Sequence, residues 1–141
     1  EFVFGDWSSD VCSSDLTRLG LDEAAWEFWR QTMDIDLDVE HGGAAEGIHI
    51  ANAAAIWQAV VLGFAGLRTA MQNDVLSLSP RLPKAWSRIA FPLIWKGARV
   101  YVEVTPNDFT VRNDHTEPMV VHMHGRERTI APGQTHSEPA S

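Results

Sequence analysis

The spacing of apolar positions changes near the middle of this 141-residue chain. In the first half Leu19, Leu21, Ala24, Ala25, Phe28 and Trp29 recur every three to four residues, with Asp22, Glu23, Glu27 and Arg30 between them. That period predicts one amphipathic helix over 18–33. The following run MDIDLDVEHGGAAEG, with alternating aspartates and paired glycines, reads as an ordered surface loop. A second helix is predicted over 48–69. Between Ile50 and Leu67 its only strongly polar side chains are Asn52 and Gln58, so it is apolar nearly all round and needs neighbours on several sides. Small residues such as Ala54, Ala59 and Gly63 permit close approach of other helices. A membrane span is disfavoured, because the stretch is at the short end of the roughly 20 residues required, holds two amides and has no basic flank.

From Asp74 onward the period becomes two. Val75, Leu76 and Leu78 open the pattern, and Pro80, Pro83 and Pro92 punctuate a connecting stretch. Val100, Val102 and Val104 then alternate with Tyr101, Glu103 and Thr105. A turn at Pro106-Asn107-Asp108 leads to 109–112, and 119–124 and 128–130 complete at least four short antiparallel strands. The expected class is α+β: helices over 17–72, a small β-sandwich over 73–131, and a polar, frayed tail over 132–141. Helices that need further helices, followed by a sheet unit, imply that most of one domain lies outside this chain. There is no internal repeat.

Residues 1–16 have no such period. The run DWSSDVCSSDL over 6–16 back-translates into a widely used sequencing-adapter oligonucleotide, so 1–16 is read as translated adapter and set outside the fold. Cys12 is the chain's single cysteine. Without it, disulfides and cysteine-ligated metals are excluded, while the cellular compartment stays open. The segment also holds Glu1, Asp6, Asp10 and Asp15, so setting it aside moves the net charge from -8 to -4. A mildly acidic chain with no basic stripe disfavours nucleic acid or an anionic membrane as partner.

The chemistry-bearing residues cluster at the start of the second helix. Gly47 lets the backbone approach a ligand closely, and the first turn beginning near Ile48 exposes unpaired N–H groups of positive dipole character, which suits an anion. His49 in that turn can add a donor, and charge near neutral pH; on its own, a histidine at a helix start more often caps or packs. Glu46 complements the helix dipole or stands near a bond to be cleaved, and the former is the blander reading. His122 and His124, two apart on a strand, share a face that could chelate a metal, but with no third ligand at a clear spacing they read as surface histidines. Trp26, Trp29 and Trp57 read as core at their helical positions.

The segment AEGIHIANAAAIWQAVVLGFAGLR over 45–68 resembles glycoside hydrolase family 65, in which Glu-Gly-Ile-His opens a buried helix containing Trp-Gln and ending in Gly-Phe-x-Gly-Leu/Met-Arg. Met33-Asp34-Ile35-Asp36-Leu37 resembles the step before that helix, and LSLSPRLPKAW over 76–86 the entry into the C-terminal domain. Phe91-Pro92-Leu93 and Gly97 match the strands beyond. The similarity covers 17–131.

That resemblance implies an (α/α)6-barrel catalytic domain, of which the chain keeps the last two helices, and an antiparallel jelly-roll-like β-domain. It implies inverting cleavage of α-glucosides such as maltose, trehalose, kojibiose or nigerose. Most members use inorganic phosphate as co-substrate, without a cofactor, and release β-glucose 1-phosphate; some use water. It assigns Gly47, Ile48 and His49 to phosphate; His41, Glu46 and Asn52 are candidates for groups close to the substrate, and Asn52 stands where the family more commonly has a small residue. The general-acid glutamate lies earlier in the family's barrel, so no catalytic residue and no metal ligand is assigned here. A cytoplasmic location and a homodimer of the full-length enzyme are further implications. Two alternatives are a hydrolase of the same family, such as a trehalase, and a non-catalytic carbohydrate-binding or structural module.

One prediction concerns the start of the chain: sequencing the source gene across this junction is expected to show other codons in place of DWSSDVCSSDL. Finding that run encoded in intact genomic DNA would defeat the adapter reading.

Overall fold

The computed structural model describes residues 9–37, 49–69 and 75–140 and divides into a helical unit, Glu1–Phe64, and a β unit, Ala65–Ser141. The predicted helix over 18–33 is interrupted. A first helix α1, Ser9–Arg18, stops at Gly20, and α2 runs over Asp22–Leu37. The stop is a Schellman motif: Gly20 takes φ 76, its N–H donates to the Thr17 carbonyl at 3.1 Å, and the Leu21 N–H donates to the Leu16 carbonyl at 2.9 Å. Apolar spacing ran through the break because it carries no information about φ. Residues 9–16, for which no element was expected, form most of α1. Locally, Asp15 pairs with Arg18 at 3.2 Å and the Thr17 hydroxyl donates to the Ser14 carbonyl at 2.7 Å.

Asp22 and Glu23 lie in the first turn of α2, where negative charge complements the helix dipole. The helix reaches Leu37, so the loop expected from Met33 starts later, and the rest of that loop lies outside the described residues. Trp26 and Trp29 stack at 5.2 Å, and Trp29 meets Phe64 edge-on at 6.4 Å. The second predicted helix is shorter than its apolar run. α3 covers Ile50–Gln58 and continues as a π-helical turn over Ala59–Phe64, whose Ala59, Val61, Gly63 and Phe64 are buried. Among the described residues no helix is long and apolar enough to cross a membrane.

Leu67–Thr69, expected to be helical, is strand β1 and pairs antiparallel with β2, Leu76–Leu78. The change of structure takes place at Gly66, with φ 64. Its carbonyl accepts the Ser79 N–H at 3.2 Å, and the two backbones lie so close that a Cβ here would stand 2.0 Å from the Ser79 carbonyl oxygen. Six more strands follow: β3 Ile89–Trp95, β4 Ala98–Val104, β5 Asp108–Asn113, β6 Met119–Met123, β7 Arg126–Ile130 and β8 Thr135–Pro139. They form two four-stranded sheets, ordered β1-β2-β6-β7 and β3-β4-β5-β8. One departs from the all-antiparallel expectation, because β2 and β6 run parallel.

Strict alternation makes the core of this unit. Val100, Val102 and Val104 on β4, with Phe109 and Val111 on β5, have no exposure, and neither do Leu76, Leu78, Val121 and Met123 on the other sheet. Two tight hairpins fix the register: Lys96 and Gly97 (φ 50 and 78) join β3 to β4, and His124 and Gly125 (φ 49 and 73) join β6 to β7. Positive φ at both central residues is the geometry that follows strand twist. Pro92, read as part of a connecting stretch, lies within β3, an edge strand where a missing N–H is tolerated.

The tail expected to fray is strand β8, paired with β5. Glu138, with a side chain 14% exposed, accepts from Arg128 at 2.6 Å, and its Oε1 lies 3.3 Å from His136 Nε2. The Arg128 guanidinium first, and then His136, hold the Glu138 carboxyl below its ordinary value of 4.5. A carboxyl with a depressed folded value stabilises fully above its unfolded value, and that contribution is lost as pH falls through the folded value. Glu138→Gln is therefore expected to lower the melting temperature of the β unit at neutral pH. The gap from the parent should close under acid; a gap that stays constant across the acid range would remove this pair from the account of β8.

Candidate functional site

Helix α3 opens on His49, the N-cap residue, with extended backbone (φ -83, ψ 98) and no side-chain capping bond. Its carbonyl accepts the Ala53 N–H at 3.0 Å. The N–H groups of Ile50, Ala51 and Asn52 precede that first intrahelical bond and form the positive end of the helix. His49 is half-buried at this end. The remaining predicted site residues His41, Glu46, Gly47 and Ile48 lie outside the described residues.

Asn52 has a structural partner. Its Nδ2 donates to the Thr32 carbonyl at 3.0 Å, while the Thr32 hydroxyl donates to the Phe28 carbonyl at 2.9 Å. A polar side chain thus joins α3 to α2.

The second helix is less covered than its composition suggests. Ile50 is 83% exposed and Trp57 59%, so Trp57 is not the core residue its position implied. Leu37, Ile35, Leu19 and Leu21 also face solvent. On the β unit, His122 and His124 do not form a chelating pair: His124 has left the strand for the hairpin turn. Its ring packs edge-on against Phe109 at 4.9 Å, and its Nε2 lies 3.2 Å from the Pro139 carbonyl. His122 instead stands 3.8 Å from Glu127. Among the described residues no three His, Cys, Asp or Glu side chains are grouped as for a metal.

A carbohydrate-binding module stacks a sugar ring on an exposed aromatic side chain. Phe109 is fully buried. Tyr101 is covered by the Arg112 guanidinium 5.2 Å from its ring and accepts from Arg88 at 3.2 Å. Neither is a free platform. What sequence reading passed over is a cavity at one end of the sandwich that brings Trp95 near His115 and Glu117. A loop packed with Asn, Asp, His and Glu after β5 was its one available signal.

The matches to known proteins follow this division. Residues 7–58 match the glycosyl hydrolase family 65 central catalytic domain, and residues 67–130 match the family's C-terminal domain. The first match begins inside the segment read as adapter. An alpha,alpha-trehalose phosphorylase of Geobacillus stearothermophilus is 33% identical over 94% of this chain and 16% of its own length. The kojibiose phosphorylase of Escherichia coli strain K12 is 32% identical over 81% of this chain and 15% of its own. A solved structure of a candidate kojibiose phosphorylase from the human microbiome superposes with a TM-score of 0.85 at 24% identity, covering 97% of this chain and 19% of that one; it supports the fold. The chain belongs to glycoside hydrolase family 65, a family of enzymes, and spans about one sixth of the curated relatives it matches.

Bare apolar surface on α2 and α3 has a measurable consequence. At about 25 cal/mol per Å² an uncovered helix face forfeits several kcal/mol, comparable with the whole stability of a small domain. The isolated chain is expected to enhance the fluorescence of an apolar-surface dye, and Ile50→Glu with Trp57→Glu to reduce that signal. Emission no higher than that of a compact control protein would contradict the exposure described.

Proposed function

We propose that the full-length protein is an inverting phosphorylase of an α-linked glucosyl disaccharide, and that this chain contributes the phosphate end of its active site. The observation that carries this reading is His49 at the N-cap of α3, with extended backbone, beside the first-turn N–H groups that form the helix's positive end. The phosphorylase names of the relatives support the reaction class; because they differ in sugar, the disaccharide is left general.

The division of labour follows from inversion. A general acid protonates the leaving oxygen while a nucleophile enters from the opposite face of the sugar, with roughly 6.5–9.5 Å between the two carboxyl groups in the corresponding hydrolases. Phosphate replaces the second carboxylate and its activated water. Phosphate is already nucleophilic, so the protein's task is to hold and orient it. A helix N-terminus with Gly47, Ile48 and His49 offers N–H donors for this task where the corresponding hydrolases use a basic carboxylate. Attack on the α-anomeric carbon then yields β-glucose 1-phosphate. The general acid belongs to the part of the barrel outside this chain.

In the full-length enzyme, His49→Ala is expected to raise the KM for phosphate at least about tenfold, or ~1.4 kcal/mol, with the KM for disaccharide little changed. An unaltered phosphate dependence removes His49 from the site. The 141-residue chain by itself is expected to release no glucose 1-phosphate from maltose, trehalose, kojibiose or nigerose plus phosphate, since loss of the acid alone costs about 10² to 10⁴ in rate. Product above a heat-killed control would place the acid within these residues.

A further inference from the structure

A cavity of about 320 Å³ opens at one end of the β unit, between the β3–β4 hairpin and the loop that joins β5 to β6. Trp95 and Lys96 line one side, His115 and Glu117 the other, and Val75 and Met119 contribute apolar walls. The Lys96 ammonium lies 5.8 Å from the centre of the Trp95 indole.

The His115–Glu117 side is held rigidly. Asn113, with no exposure, donates from Nδ2 to the carbonyls of Glu117 at 2.8 Å and Ile130 at 2.9 Å. Its Oδ1 accepts the His115 N–H at 2.9 Å, and the Asp114 N–H donates to the Arg99 carbonyl at 3.0 Å. Within the loop, His115 Nδ1 accepts the Glu117 N–H at 3.1 Å. That bond fixes the neutral ring as the Nε2–H tautomer, so Nε2 is a donor. The loop backbone and the His115 ring are thus oriented before any ligand arrives, one condition for a specific site.

The chemistry of the walls selects among ligands. Glu117 opposes phosphate and other anions, and Lys96 opposes cations, so the pair favours a neutral molecule. An apolar ring beside one carboxylate acceptor and two N–H donors fits a compound with C–H faces and several hydroxyls, each able both to donate and to accept. We propose that this cavity is a sugar-binding site on the β unit for a neutral hexopyranose unit, with the ring against Trp95 and hydroxyls on Glu117, His115 and Lys96.

The test titrates glucose, maltose and trehalose, and separately inorganic phosphate, into the complete ¹⁵N-labelled chain while backbone amide shifts are followed. At least one of the sugars is expected to give saturable shifts confined to residues 95–98 and 115–120, with Kd on the order of millimolar. Phosphate should give none there. Trp95→Ala should abolish the sugar shifts, Glu117→Gln should weaken binding about tenfold, and Trp95→Phe, which keeps an aromatic wall and controls for folding, should stay within about threefold. The proposal is overturned if no sugar produces saturable shifts at these amides, if phosphate binds there as well as sugar, or if Trp95→Phe and Glu117→Gln, with shift dispersion retained, leave Kd unchanged or abolish binding alike.

Discussion

One buried amide ties the end of the β unit together. The Asn113 side chain is fully enclosed and has a partner for each of its polar atoms, on three different residues. Its backbone N–H donates to Gln134 and its carbonyl accepts from Gly133. Through these bonds the end of β5 is joined to the β5–β6 loop, to the end of β7 and to the turn before β8. An enclosed amide with open valences would cost several times what a single satisfied hydrogen bond contributes. That asymmetry selects one arrangement of the loop and the final strand over looser ones, and the walls of the cavity inherit their order from it.

Much of the fold was legible where spacing alone decides the outcome. Val100, Val102 and Val104 predict an inward-facing strand without further information, and the four strands expected over 100–130 are present. What spacing does not encode was missed. Gly20 ends α1 by its φ, which no apolar count reveals. Leu67–Thr69 continues an apolar run that reads as helix, yet it leaves the helix at Gly66 to pair with Leu76–Leu78. The tail over 135–139 is polar because it is an edge strand, and its order comes from Arg128 and Glu138, partners whose meeting depends on tertiary structure.

The site was legible to a different extent. His49 was singled out from its neighbours in sequence, and the structure puts it at the N-cap with an extended backbone. Asn52 could not be assigned from sequence because its partner is a carbonyl twenty residues earlier on another helix. His122 and His124 misled because the two-residue rule holds only while the strand lasts, and His124 begins a turn. Trp57 misled in the opposite way: the helix composition asks for burial that the two preceding helices do not provide, and 59% of the residue remains in contact with solvent.

Gly66 carries a consequence for anyone recombining members of this family. It is the residue at which a helical run becomes a strand, and it leaves no room for a side chain against the Ser79 backbone. A chimaera that takes its helices from one relative and its sheets from another can cross over on either side of this point. The glycine and the stretch around Ser79 must then come as a matched pair, because the fit between them is one of backbone against backbone and no change of side chain elsewhere can restore it.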